Sequence, residues 1–129
     1  LPRYHDQPWR TNAAADPGWT IWLCPANRRR SNGRNLFHYC LNENINGTGA
    51  EEMPVRLSGL REPSALVWLF DSKNLPAVGK WNYLHTNLHS GGAQILYLDG
   101  HARRFARSAY WDAGTDRVRT DHPEIQWIP

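Results

Sequence analysis

The dipeptide Asp99-Gly100 constrains the fold of this chain more than any other local feature. It stands between residues 93–98, an apolar strand-forming segment, and residues 101–105, which return as a second strand. Asp-Gly in such a setting is a strong hairpin signal, because a two-residue type I′ turn requires positive φ at both turn positions. We therefore predict an antiparallel hairpin with a two-residue loop. That register pairs Leu98 with His101 and Leu96 with Arg103.

Other segments predict the rest of a sheet. Residues 65–70 form a continuous apolar run of strand length, rich in aromatic and branched side chains, which favours a buried central strand. Two earlier segments are rich in strand formers and are followed by turn-forming residues. The predicted fold class is α+β, mainly antiparallel β. The predicted strands are residues 19–24, 36–41, 65–70, 93–98 and 101–105.

The remaining segments predict a single domain with long connections. A chain of 129 residues suits one core, and its nine Pro and ten Gly favour turns over long helices. We interpret residues 1–18 as an extended lead-in, residues 72–92 as a long loop and residues 106–129 as an irregular tail. Trp111 and Trp127 are candidate anchors for that tail.

Charge and hydropathy limit the classes of partner. A net charge of +3 is too small to indicate nucleic acid, which usually shows as a dense basic stripe. The densest basic segment, residues 28–30 with Arg34, is interpreted as a solvated loop, with a contact for phosphate or an acidic partner as the alternative. No apolar stretch approaches the ~20 residues that span a bilayer. Because the chain begins at Leu1 without an initiator Met, we expect any targeting segment or membrane helix to precede it.

Catalytic motifs are weak in this sequence. The segment Ser90-Gly91-Gly92 lacks the Lys and the spacing of a phosphate-binding loop, and no G-x-S-x-G nucleophile elbow is present. His85 and His89 have the spacing of two ligands on one helix face, but two glycines follow at once. His89 and Asp99 lie at opposite ends of a strand about 17–20 Å long and cannot share a metal ion. We therefore predict no catalytic and no metal site.

The same geometry predicts a contact between His89 and Asp71. If the strands at residues 65–70 and 93–98 are antiparallel neighbours, then Asp71 follows the end of one strand where His89 precedes the start of the other. We predict a hydrogen bond or ion pair between the two side chains that anchors the long loop. A separation of more than about 8 Å would contradict it.

Two weaker binding hypotheses concern the tail and the tryptophans. The tail carries carboxylates that could supply oxygen ligands for calcium, although their spacing matches no EF-hand loop, and a solvated loop is the alternative. Trp residues in loops could bind a glycan, although scattered Trp are more often core. The carboxylates are Asp112, Asp116, Asp121 and Glu124, and the tryptophans are Trp9, Trp81 and Trp111.

The two cysteines, Cys24 and Cys40, leave two interpretations open. An even count is compatible with one disulfide, and two buried free thiols are equally compatible with the residues alone. Two thiolates without further ligands make a poor zinc site, because structural zinc takes four.

The stretch from His89 to Gly100 has a His, nine residues and then Asp-Gly, followed by His101 and a basic return strand. It resembles the prepilin-type H-X9-DG domain, which is found at the carboxyl end of many pilin-like proteins of planctomycetes and related bacteria. Two further pieces agree in order. Leu23-Cys24-Pro25 is similar to the Cys-Pro step of that family, and residues 60–71 are similar to its Pro-Ser-strand-Asp unit. The resemblance spans about residues 23–105.

The resemblance implies a structural protein. Proteins of this kind are pseudopilin or type IV pilin-like subunits, in which an antiparallel sheet caps a long amino-terminal helix that anchors the subunit in the inner membrane. The head would lie in the periplasm or at the cell surface and contact other pilin-like subunits. The motif residues His89, Asp99, Gly100 and His101 would then be structural. The exported setting also favours a disulfide between Cys24 and Cys40, since Cys40 stands where the family usually has Ala or Gly.

Three hypotheses follow for the function. The first is a non-catalytic pilin-like head in a type II secretion or type IV pilus-like system, with no cofactor. The second is a cell-surface module on the same scaffold that binds a glycan or a protein. The third is a metal-dependent enzyme.

Overall fold

The computed structural model of the protein describes residues 24, 26–27, 38–46, 57–73 and 78–129. Several predictions made from the sequence lie outside these residues. They are the lead-in at residues 1–18, strand residues 19–23, the basic segment at residues 28–30 with Arg34, and Trp9. No helix within the described part of the chain is long and apolar enough to cross a membrane.

One five-stranded sheet organises the described residues. Its order is β3-β1-β2-β4-β5, and every neighbouring pair is antiparallel except the parallel pair of β1 and β3. A two-stranded sheet of β6 and β7 accompanies it. The α+β, mainly antiparallel class is therefore confirmed. The elements are β1 (Tyr39–Asn42), α1 (Glu43–Asn46), β2 (Val67–Asp71), β3 (Val78–Gly79), β4 (Gly92–Tyr97), β5 (Ala102–Ala106), α2 (Arg107–Tyr110), β6 (Trp111–Asp112) and β7 (Arg117–Val118), with 3-10 helices at Leu57–Gly59 and Trp81–Tyr83.

The core lies against one face of the sheet. In β4 the side chains of Ala93, Ile95 and Tyr97 are buried while Gln94 between them is exposed, which is the two-residue period of a strand with one covered face. Val67 and Phe70 of β2 join the same apolar cluster. The sequence pattern at residues 93–98 therefore specifies which face of the sheet turns inward.

The tail covers that face and is more ordered than the sequence indicates. Residues 106–129 were expected to be irregular, but they contain α2 and the β6–β7 pair. Trp111 and Trp127, the expected anchors, are both buried in the core cluster. The backbone of Gln126 pairs with the start of β2, since the Val67 amide donates to its carbonyl at 2.9 Å and its own amide donates to the carbonyl of Ala65 at 2.9 Å. Such long-range pairing leaves no periodic signal in the tail.

The predicted register of the hairpin is wrong by one residue. Leu96 pairs with Ala102 rather than with Arg103, and the amide of Tyr97 donates to the carbonyl of His101 at 2.9 Å. The loop therefore has three residues, 98–100, and only Gly100, at φ +93°, takes a left-handed conformation there. A three-residue loop places its left-handed glycine last, so Asp-Gly marked the turn correctly but not its length.

The predicted disulfide is also wrong, because Cys24 and Cys40 are both buried free thiols. The Cys40 thiol donates to the carbonyl of Leu41 at 3.6 Å. The Cys24 sulfur instead lies 3.4 Å from Nε2 of His89. Each sulfur thus has its own partner in a different part of the chain.

The loop predicted at residues 72–92 contains regular structure of its own. Strand β3 and the 3-10 helix at Trp81–Tyr83 lie within it, and Leu84 is fully buried. The carbonyl of Asp71 accepts a hydrogen bond from the amide of His85 at 2.8 Å. These contacts fix the second half of the segment against the sheet, next to the end of β2.

Candidate functional site

Two neighbouring strands bring Asp71 and His89 together. Asp71 is the last residue of β2, and β4 runs antiparallel to β2. The amide of Gln94 on β4 donates to Oδ2 of Asp71 at 2.7 Å. His89 lies just before β4, and its Nε2 stands 3.3 Å from the same Oδ2. This separation lies well within the limit of about 8 Å that we set for their contact.

A left-handed turn holds His89 in that position. His89 and Ser90 have φ of 47° and 65°, and Gly91 follows at 81°. A non-glycine residue in this region costs roughly 1–2 kcal/mol. Arg104 on β5 offsets this cost by donating to the carbonyls of His89 and Ser90, each at 2.6 Å. Leu88 and Gly92 close the turn with a pair of backbone hydrogen bonds at 2.9 and 2.6 Å.

Cys24 completes the site from far away in the sequence. Its sulfur lies 3.4 Å from Nε2 of His89, across 65 residues of chain. The backbone of Cys24 is fixed by His38, whose Nδ1 accepts its amide proton at 3.0 Å. We did not predict that Cys24 would join His89. The one available signal was the family resemblance, in which the Cys-Pro step precedes the His motif along the chain. That order says nothing about how close the two residues lie in space.

Burial dominates the electrostatics of the site. Asp71 is fully buried, and desolvation raises the pKa of its carboxyl, while the Gln94 amide, His89 and His38 oppose that rise. Burial also raises the pKa of Tyr39 to about 12, with Cys24 and Asp71 adding to the effect. The remaining carboxyl oxygen, Oδ1 of Asp71, is buried and has no hydrogen-bond partner.

The arrangement can hold a metal ion and does not form a catalytic relay. One ligand atom each from Cys24, Asp71 and His89 lie within 4.8 Å of one another, and no other set of three or more such residues occurs in the described part of the chain. In a nucleophilic relay the acid binds one ring nitrogen of the histidine and the nucleophile faces the other. Here sulfur and carboxylate face the same nitrogen. The three groups converge on a point rather than forming a chain.

The Asp-Gly end of the motif forms a separate structure. Oδ1 of Asp99 accepts the backbone amide of His101 at 3.1 Å and lies 2.6 Å from its Nδ1. The amide hydrogen bond is the first cause that lowers the pKa of Asp99. The imidazole of His101 stacks on Tyr97 with ring centroids 4.4 Å apart. Together with Gly100 these residues shape the hairpin loop.

The other candidate ligands do not join a site. His85 accepts the amide of Asn87 at its Nδ1, at 3.0 Å. The tail carboxylates predicted as calcium ligands each have a partner of their own and do not cluster. Asp112 accepts the amide of Gly114, Asp116 accepts the Trp111 indole, Asp121 pairs with Arg119, and Glu124 pairs with Arg103.

Of the tryptophans proposed for glycan binding, Trp111 belongs to the core and Trp81 packs against it. Trp111 is 7% exposed, and Trp81 is packed against the core cluster with its ring 6.4 Å from that of Trp127. The exposed tryptophan in the described residues is instead Trp68 on β2, at 37%. A glycan stacking on Trp81 or Trp111 is therefore not supported.

Comparison with known proteins found no match for this chain among protein-family models, curated proteins or solved structures.

Proposed function

We propose that the chain is the globular head of a pilin-like protein, a non-catalytic subunit of a type II secretion or type IV pilus-like system. The full-length parent would be anchored in the inner membrane by an amino-terminal helix, with the head in the periplasm or at the cell surface. Its partners would be other pilin-like subunits. The mainly antiparallel sheet is compatible with a head that caps a helix, although the fold class alone is a weak argument for function.

One observation carries the proposal. The three pieces that resemble the H-X9-DG family, each from a separate part of the sequence, meet at one place. Cys24 comes from the Cys-Pro step, Asp71 ends the Pro-Ser-strand-Asp unit, and His89 begins the His-to-Asp-Gly motif. Their side chains lie within 4.8 Å of one another. A chance similarity in three short segments gives no reason for those segments to converge in space.

The motif residues are also occupied in holding the fold. Asp99 and His101 bind each other at the hairpin loop, and Arg104 of the basic return strand binds the carbonyls of His89 and Ser90. Each end of β4 is therefore fixed by a residue of the motif. Residues committed to such framework contacts favour a structural subunit over an enzyme.

A cell-surface binding module on the same scaffold is the second candidate. It is favoured by Trp68, whose side chain is 37% exposed on β2. Exposed aromatic rings commonly bind sugars or protein partners. In this case the segment before Leu1 would be a cleavable signal peptide rather than a membrane helix.

The coding sequence upstream of Leu1 discriminates between the two. For a pilin-like head we expect a prepilin peptidase site followed by ~20 apolar residues. In the source organism, removal of the prepilin peptidase should then leave a longer, unprocessed protein in the membrane fraction, visible by immunoblotting. The 129-residue chain expressed alone in the same cells serves as a control for the fractionation. A signal peptide with a small-residue cleavage site would instead support the binding module.

A further inference from the structure

The distances from His89 to Cys24 and to Asp71 are close to those between ligands of one zinc ion. Zinc bonds of about 2.3 Å to sulfur and about 2.0–2.1 Å to nitrogen and oxygen, at tetrahedral angles, separate nitrogen from oxygen by about 3.3 Å and nitrogen from sulfur by about 3.5 Å. The corresponding separations here are 3.3 Å from Nε2 to Oδ2 and 3.4 Å from Nε2 to Sγ. The third separation, between the Cys24 sulfur and the Asp71 carboxylate, is at most 4.8 Å.

Hydrogen bonding leaves one oxygen of this cluster without a partner. Nε2 of His89 carries at most one proton, yet sulfur and carboxylate both face it. Oδ1 of Asp71 is buried without a partner, and a buried oxygen in that state costs roughly 1–3 kcal/mol, or more when it is charged. A cation bound at this point would be met by the sulfur, by Nε2 and by Oδ2, and it would reach Oδ1 as well if the carboxylate bound it through both oxygens.

We propose that Cys24, Asp71 and His89 bind one zinc ion, with the fourth coordination position taken by water. Thiolate and imidazole ligands select zinc over magnesium and calcium, which prefer oxygen. The thiol of Cys24 loses its proton to solvent when the ion binds. The side chain of His89, 26% exposed, gives the ion a route from solvent, whereas that of Asp71 is closed off.

Neighbouring groups orient the three ligands. The Gln94 amide holds Oδ2 of Asp71 at 2.7 Å, and His38 holds the backbone of Cys24 at 3.0 Å. Such outer contacts normally orient the ligands of a metal site. The ion joins Cys24 to the end of β2 and to the turn before β4. Its presence does not depend on the assembly to which the head belongs.

The test measures zinc bound by the 129-residue chain, purified without a histidine tag, kept reduced and stripped with a chelator. Equilibrium dialysis followed by elemental analysis should give one zinc per chain. Losing a residue that only hydrogen-bonds to a metal ligand lowers metal affinity about 10–100-fold. Cys24→Ser and His89→Gln each change a ligand itself, so each should weaken zinc affinity by about 100-fold or more. Cys40→Ala is the matched control, because it removes the other buried thiol and should keep stoichiometric zinc.

Cobalt substitution keeps the proposal testable if a variant fails to fold. Cobalt bound to wild-type chain should show the near-ultraviolet charge-transfer absorption of a thiolate ligand, and zinc should abolish it. Zinc should also protect one of the two cysteines from a thiol reagent, identified as Cys24 by peptide mapping. Wild-type chain that binds no stoichiometric zinc, or cobalt bound without the thiolate absorption, would overturn the proposal.

Discussion

At the scale of the residue, Asn42 at the end of β1 shows how one buried amide joins separate segments. Its Nδ2 donates to the carbonyl of Val67 at 2.8 Å and to that of Trp127 at 2.9 Å. Its Oδ1 accepts the amide of Asn44 at 3.1 Å. Asn42 is fully buried, so each of these bonds replaces one that water would otherwise make. The side chain therefore ties β1, β2 and the tail together.

Replacing Asn42 with Asp should destabilise the fold strongly, although the two side chains have nearly the same size. An oxygen would take the place of Nδ2 and face two carbonyls, so a buried negative charge would lie against two acceptors. We expect a loss of about 3 kcal/mol or more in the free energy of unfolding at pH 7, measured by urea denaturation. The loss should shrink at low pH, because the protonated carboxyl donates one hydrogen bond. Asn82→Asp, at an exposed position, should stay within about 0.5 kcal/mol of wild type, and an equal loss in both variants would contradict the argument.

The sequence predicted a contact in the candidate site only where paired strands fix the separation of the two residues. The contact of Asp71 with His89 follows from two antiparallel strands joined by a loop, which the apolar runs at residues 65–70 and 93–98 indicate. Cys24 could not be placed in the same way. It lies 65 residues from His89, and no strand pairing read from the sequence connects the two. Long-range contacts of this kind depend on packing rather than on spacing.

At the scale of the element, the start of β4 depends on a close approach to β5. Gly92 pairs with Ala106, and a Cβ atom at Gly92 would lie 1.9 Å from the carbonyl oxygen of Phe105. That neighbour is backbone and cannot move without breaking the ladder. Glycine is required here for space, whereas Gly100 in the hairpin loop is required for its φ of +93°. The sequence marks both as turn glycines and does not distinguish these two reasons.

Gly92→Ala should therefore open the end of the β4–β5 pair. Overpacking against fixed backbone costs about 1–3 kcal/mol or more, and we expect a loss of at least that size in the free energy of unfolding. Amide hydrogen exchange should quicken at Ala106 and Arg107, next to the new methyl group. Gly59→Ala is the matched control, because nothing lies within 4 Å of a Cβ there. Equal stability of the two variants would show that the strands can separate at no cost.

At the scale of the whole molecule, the tail and the sheet enclose groups that ionise at high pH. Burial raises the pKa of Cys40 from 9.0 to about 12, with Glu43 adding to the effect. Burial also raises the pKa of Tyr97 and of Tyr110 well above 10.0. Their hydroxyls donate to the carbonyls of Glu124 at 2.7 Å and His85 at 2.6 Å. The sequence shows apolar and aromatic residues in the core, but burial of these particular hydroxyls depends on where the tail folds back.

These buried acids predict that the folded protein loses stability as the pH rises above about 9. The unfolded chain then releases protons that the folded chain keeps, so unfolding becomes more favourable by up to about 1.4 kcal/mol per pH unit for each such group. Urea denaturation at stepped pH should show the decline beginning with Cys40, near its ordinary pKa of 9.0, and steepening above 10.0 as Tyr97 and Tyr110 contribute.

Two variants test which groups cause this loss of stability. Cys40→Ala should move the start of the decline to higher pH. Tyr97→Phe should cost about 1 kcal/mol at neutral pH through its lost hydrogen bond and then decline less steeply than wild type, so that the two curves converge. If the stability curves of the variants stayed parallel to that of wild type, burial would not be what raises the pKa of Cys40 and Tyr97.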